Sequence, residues 1–195
     1  MSQKWCISGK MGIVENFRDY RSKKLDKIAK AVADFGISAN HITTLSFLSG
    51  ILAIYFLFNN YYLFVVFALL HLMFDGFDGV VARVTKPTNQ GKYFDLLSDS
   101  GVTFLALLKT AWHLQELYAY IAAGLFFVAL IIHLKFKLQT PMLFLRTISV
   151  IVLLVATHPL IPYTKILLTI GYLAAGGVSL FSLARQLQWY VSPRT

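Results

Sequence analysis

Charge is what this chain has least of. Only 14% of its residues are Asp, Glu, Lys or Arg, against about a quarter in an ordinary soluble domain. Acidic residues are the scarcer sign, nine against 18 basic ones, for a net charge of +9. Such a composition argues against a soluble globular domain, and with 57% hydrophobic residues it points to the membrane class. The basic excess fits cytoplasmic loops and anionic lipid; no RNA-binding motif or separate basic domain is present, so no nucleic-acid partner is expected. Cysteine is nearly absent. The single Cys6 excludes an intrachain disulfide framework and reads as an ordinary free thiol. A cleavable leader is also missing: "MSQKWCISGK" has no apolar core of the required ~7–15 residues, so the N-terminus is expected to be retained and cytoplasmic.

Long apolar runs are plentiful. A helix needs ~20 apolar residues to span a bilayer, and six segments qualify, near 41–59, 62–83, 92–112, 117–134, 142–158 and 164–184. Their connections are short, so the expected architecture is all-α, a single domain over 1–195 with an N-terminal segment 1–40 and a six-helix transmembrane core 41–187. An even number of spans puts both termini on one side. With that side cytoplasmic, 16 Lys and Arg lie inside, and only Lys109 and Lys165 lie toward the other side. Before the first span, Leu25, Ile28, Ala29, Val32 and Phe35 recur near helical spacing among Arg21, Lys23, Lys24, Lys27 and Lys30. This predicts an amphipathic helix lying in the cytoplasmic interface and ended by Gly36.

Against that background four aspartates stand out. Asp75 and Asp78 are three apart and Asp95 and Asp99 four apart, so each pair shares a helix face. The link between the two helices contains Pro87 and is too short for anything but an antiparallel hairpin. At 1.5 Å per residue Asp75 lies roughly 12 Å in from Arg83 and Asp99 roughly 12 Å in from Gly91, so the pairs match in depth and can face each other. Four facing carboxylates need positive charge among them. Arg83 alone does not balance them; divalent cations do. All-oxygen ligands select hard ions, Mg²⁺ first, with Mn²⁺ or Ca²⁺ as alternatives. Four carboxylates suit a two-metal site, with ions about 3.5–4 Å apart around a phosphoryl group. Gly79 and Ala82 would let a bulky ligand approach the helix, Gly91 lies one turn before Asp95, and Arg83 can fork onto phosphate oxygens.

The stretch "DGFDGVVAR", seven residues, then "GKYFDLLSD" resembles the signature of the CDP-alcohol phosphatidyltransferase family, D-x2-D-G-x2-A-R-x7-G-x3-D-x3-D. All eight fixed positions are present: Asp75, Asp78, Gly79, Ala82, Arg83, Gly91, Asp95 and Asp99. The likeness extends to six spans, an N-terminal interfacial helix, and an N-x-x-T, here Asn40 to Thr43, opening the first span. Two positions depart from the pattern: Ala39 stands where a proline usually precedes that Asn, and Ser100 where many relatives carry Arg. The resemblance implies that Asp75, Asp78, Asp95 and Asp99 ligate two Mg²⁺ ions, and that Asp99 is also the general base for an acceptor hydroxyl. It implies that this hydroxyl attacks the β-phosphorus of a CDP-linked lipid, with CMP leaving. It implies CMP contacts from Gly79, Ala82 and Arg83, with Gly91, Asn40 and Thr43 at the same site, and it suggests a homodimer. The acceptor class stays open: glycerol phosphate, inositol phosphate, serine or another polyol.

Other residues carry two readings. His71 lines the cavity or makes a helix–helix hydrogen bond. Lys135, Lys137, Arg146 and Arg185 anchor lipid headgroups or line an acceptor pocket, where Arg146 and Lys135 are the candidates. Arg146 sits inside an apolar run, where an unpaired charge is expensive, and a role there would argue for a phosphorylated acceptor. "GYLAAGGVS" reads as close helix packing. Two rival functions use the same aspartates. An intramembrane prenyltransferase pairs Asp motifs with Mg²⁺ and diphosphate, but on helices further apart and without the "DG-x2-AR" step. A cation transporter would show internal repeats or helices broken at the midplane, and neither is seen.

Overall fold

A computed structural model of the chain describes residues 26–85, 88–143 and 145–191. Leu25, Arg21, Lys23 and Lys24 of the expected interfacial helix, together with Cys6, Lys86, Pro87 and Arg194, lie outside the described residues. The described chain is helical without strands. It begins in a helix, α1, described over 26–34. There follow α2 (Ala39–Phe56), α3 (Tyr61–Thr85), α4 (Asn89–Leu114), α5 (Leu117–Lys135), α6 (Arg146–Ala156) and α7 (Thr164–Val191).

Local chemistry sets the helix ends. Gly36 follows α1 at φ +81°, a left-handed conformation that glycine adopts without strain, and Ile37 N donates back to the Val32 carbonyl at 3.3 Å. Ser38 caps α2: its Oγ accepts from His41 N, and His41 Nδ1 accepts from Ser38 N in return, the reciprocal arrangement of a capping box with histidine in place of Glu. Thr88 Oγ1 accepts from Gly91 N at 3.0 Å and starts α4. At the far end of α2, Lys109 Nζ donates to the Ile54 and Tyr55 carbonyls at 2.6 and 2.8 Å. That cation meets the negative end of the helix dipole, which accounts for one of the two basic residues on the side opposite the aspartates.

Helices α2, α3, α5 and α7 are each long and apolar enough to cross a membrane. Helix α4 has 26 residues but carries Lys92, Asp95, Asp99 and Lys109 along its length. Helix α6 has 11 residues, about 17 Å at 1.5 Å each; the apolar run expected over 142–158 is helical only in its later part. The outward surface is built of large apolar side chains, among them Leu48, Met73, Leu173 and Phe181, each more than half exposed. Facing water this would be an aggregation surface; lipid solvates it. The helices fit an integral membrane protein.

Lipid is as apolar as leucine, so packing rather than hydrophobic transfer must hold such helices together. Small residues let them approach. A Cβ on Gly171 would lie 2.8 Å from Val152 Cγ1, and one on Gly176 would lie 3.4 Å from Ala122 Cβ. Of the glycines in "GYLAAGGVS", Gly171 thus packs α7 on α6 and Gly176 packs it on α5, while Gly177 faces open space. Polar contacts add to this: Tyr172 OH donates to the Leu107 carbonyl, and Gln186 Nε2 donates to the Ala129 carbonyl at 3.1 Å. The tightest approach is at Gly50 on α2, where a Cβ would sit 2.6 and 2.9 Å from the two Val102 methyls and 3.2 Å from His71 Nδ1. Gly50→Ala is therefore expected to destabilise the protein by about 1–3 kcal/mol through overpacking, read as a lower midpoint of thermal unfolding in detergent; an unchanged midpoint would show that α2 and α4 slide apart freely.

The apolar face expected of α1 divides in two. Ala29 is buried and Val32 packs with it against Ile42, Val80 and Val81, whereas Ile28 and Phe35 are 54% and 84% exposed.

Candidate active site

The site forms where α3 and α4 run antiparallel with α2 packed across them. The i, i+3 and i, i+4 spacings turn all four aspartates inward. Oxygens of Asp75, Asp95 and Asp99 lie within 4.8 Å of one another. Asp78 sits beside this group and is held by α2, since Thr43 Oγ1 donates to its Oδ2 at 2.7 Å. Arg146, the first residue of α6, reaches in from the opposite side. Its Nη1 pairs with Asp75 Oδ1 and also with Asp99 Oδ2, and its Nη2 donates to Asp75 Oδ2 at 2.5 Å.

One guanidinium leaves most of this negative charge unbalanced. Asp95 makes the point atom by atom, because its Oδ1 is buried with no hydrogen-bond partner. A buried carboxylate oxygen in that state calls for a donor or a cation. Convergent hard oxygens with one still unsatisfied fit a divalent ion, and the donor set favours Mg²⁺, Mn²⁺ or Ca²⁺ over zinc.

A cavity flanks the aspartates on each side, and Asp95 is common to both. The first, about 280 Å³, is lined by Asn40, Thr43, Asp78, Gly79, Ala82 and Gly91 together with Ser38, Thr85, Thr88 and Lys92. A Cβ on Gly79 would meet nothing within 4 Å, so this glycine opens helix surface to the cavity. Gly91 is the reverse case: a Cβ there would stand 3.1 Å from Thr88 Oγ1 and 3.2 Å from Asn40 Oδ1, so the glycine lets α2 and α4 close one wall. The second cavity, about 270 Å³, is lined by Asp99, Ser100, Thr103, Arg146 and Thr147 with Leu96, Phe126 and Leu145.

Most of the residues singled out in the sequence thus come together; Arg83, Lys135, Lys137 and Arg185 do not, all four being exposed and outside the lining of both cavities. Arg83 is exposed and turned back along its own helix, its Nε donating to the Gly79 carbonyl at 3.0 Å, and it is not among the lining of the first cavity. Lys135 is exposed at the end of α5 and lines neither cavity. His71 is 1% exposed and bound to α2: Ser46 Oγ donates to its carbonyl at 3.0 Å, and its Nδ1 lies 3.0 Å from the Ser46 carbonyl. It serves as a helix–helix hydrogen bond.

Some lining residues went unnoticed in the sequence. Thr85 lies three residues beyond Ala82, and Lys92 three before Asp95, on the same faces; helical spacing would have found both. Ser38 and Thr88 were recognisable only as caps.

A comparison with curated proteins finds no match to this chain. The family model for CDP-alcohol phosphatidyltransferase matches residues 36–190, from the turn before α2 almost to the end of α7, and so takes in every residue of both cavities. The family uses divalent metals, which the aspartate cluster suits, and transfers a phosphatidyl group from a CDP-alcohol. This chain belongs to the CDP-alcohol phosphatidyltransferase family.

Proposed function

We propose that the protein is a Mg²⁺-dependent membrane transferase that moves a lipid phosphate group from a CDP-linked lipid to the hydroxyl of a small alcohol, releasing CMP, in phospholipid synthesis. The observation that carries this reading is the convergence of Asp75, Asp95 and Asp99 within 4.8 Å, between two cavities. A transferase needs such a layout: donor on one side, acceptor on the other, carboxylates between.

The donor's diphosphate and cytidine take the first cavity, against Asn40, Thr43, Gly79, Ala82 and Gly91. Arg83 joins them by leaving the Gly79 carbonyl and forking onto phosphate. Asp75, Asp78, Asp95 and Asp99 hold two Mg²⁺ ions, with Mn²⁺ as an alternative. When bound, the ions neutralise the diphosphate and lower the pKa of an acceptor alcohol. The acceptor takes the second cavity. A carboxylate oxygen of Asp99 accepts its hydroxyl proton, the hydroxyl oxygen forms a bond to the β-phosphorus, and the bond from that phosphorus to CMP breaks, with CMP keeping the electron pair. Thr43 keeps Asp78 oriented. Of the two acceptor candidates, Arg146 reaches the second cavity and Lys135 does not.

The same reading makes residues 1–195 one transferase domain, with α2 to α7 as its six membrane segments, α4 and α6 being admitted by their packing between the others. It places α1 in the interface, both termini and the site toward the cytoplasm, and the protein in a homodimer. The basic-residue asymmetry supports the orientation.

The test is CMP release. Purified in detergent with Mg²⁺, the protein is expected to release CMP from a CDP-lipid with at least one of glycerol 3-phosphate, inositol 1-phosphate, inositol and serine. Silence with all four, from folded protein, would overturn the proposed acceptor class.

A further inference from the structure

Arg146 has a second role that the transferase reading leaves out. Its guanidinium bridges Asp75 and Asp99, two of the three carboxylates whose oxygens lie within 4.8 Å of one another. A divalent ion held by these oxygens sits about 2.0–2.6 Å from each. That is the space Arg146 Nη1 now fills. Guanidinium and ion are therefore alternative occupants of one position.

The backbone around Arg146 is held while its side chain has somewhere to go. Leu145 is 4% exposed. Leu143 N donates to Ser182 Oγ on α7 at 3.2 Å, and Thr140 Oγ1 lies 3.0 Å from His133 Nδ1 on α5. Arg146 also lines the second cavity, beside Ser100 and Thr147. The buried Ser100 Oγ has no hydrogen-bond partner there. Helix α6 starts with no side-chain cap and no acidic residue in its first turn. A cation at that end opposes the helix dipole, whereas an anion there is favoured. An arginine turned from the carboxylates into the second cavity would join the uncapped first-turn N–H groups of α6 and Ser100 in facing one anion.

We propose that Arg146 is an exchangeable counter-ion. Metal binding displaces it from Asp75 and Asp99, and the displaced guanidinium then binds the anionic group of the acceptor. Metal loading and acceptor binding thereby favour each other. This rests on reading the aspartates as metal ligands, which Asp95 tests separately, since the ion pairs of Arg146 are with Asp75 and Asp99.

The experiment is Mn²⁺ binding followed by electron paramagnetic resonance on the detergent-solubilised full chain, with and without glycerol 3-phosphate as the anionic probe. Arg146→Gln is expected to bind Mn²⁺ about tenfold more tightly than the wild type, because nothing competes for the carboxylates. In the wild type the probe should tighten Mn²⁺ binding about fivefold or more. In Arg146→Gln that coupling should vanish. Arg146→Lys keeps the charge but cannot fork onto two carboxylates and should fall between; if the Gln variant fails to stay monodisperse, this comparison decides. Unchanged or weaker Mn²⁺ binding in the variants, or coupling that survives in Arg146→Gln, would overturn the proposal and leave the metal site standing. Mn²⁺ binding that ignores Asp95→Asn would overturn the metal site, and the proposal with it.

Discussion

Asp99→Asn should lower the rate of CMP release by about 10³-fold or more, while leaving the protein folded. Loss of a general base alone removes about 10²–10⁴ of rate, and here the same carboxylate also holds metal in the proposed mechanism. Asn matches Asp in shape, so the packing of α4 has no reason to change. The salt bridge between Arg146 and Asp99 is lost, but the fork from Arg146 onto Asp75 remains, so the unfolding midpoint should move little. The measurement is a time course of CMP release at saturating donor and acceptor, paired with thermal unfolding. Residual activity within tenfold of the wild type would remove Asp99 from the chemistry and send the search for a base to Asp75 or Asp95. A collapsed midpoint would instead mean that the side chain is needed chiefly for the ion pair.

Gly79→Leu should separate function from stability in the other direction. Gly79 lies within a helix, and a Cβ there meets open space. Leucine at a helix interior is favoured over glycine by nearly 1 kcal/mol, so the unfolding midpoint should hold or rise. The added side chain, however, projects into the cavity that also contains Asn40, Thr43 and Asp78. If the donor's diphosphate binds there, displacement by even an ångström costs about 10² in rate, and the donor KM should climb while the acceptor KM stays put. A normal donor KM in a stable Gly79→Leu protein would mean that the nucleotide binds elsewhere. Gly50→Ala is the matching opposite, because the space its Cβ would take is already held by Val102 and His71. Two glycines one helix apart thus answer similar substitutions with opposite losses.

The sequence disclosed the aspartates well because their relation is local. Spacings of three and four fix a helix face, and a short link fixes an antiparallel pair, so depth and facing follow without knowledge of the rest. Arg146 was visible as an expensive charge in an apolar run, but its partners lie 71 residues away on α3 and 47 away on α4. No local periodicity connects them. Arg83 is the opposite case: its motif position was plain, while the direction of its side chain, here onto the Gly79 carbonyl, is a rotamer choice that spacing does not fix. The start of α6 was placed too early for a further reason. "PMLFL" is apolar enough for a membrane helix, yet Pro141 to Leu145 is not helical where described, and hydropathy alone does not separate an apolar connection from a helical segment.

The late start of α6 bears on how a charged molecule reaches the aspartates at all. Helix α3 continues ten residues past Asp75 to Thr85, about 15 Å, whereas α6 begins with Arg146, whose guanidinium pairs with Asp75. Residues 140–143 and 145, just before it, are irregular, and hydrocarbon would leave the unpaired N–H and C=O groups of such backbone unsatisfied. Such a segment belongs against protein or water. In the proposed transferase it would spare a polar acceptor from crossing oil on its way to the carboxylates, while a two-tailed donor stays rooted in the leaflet.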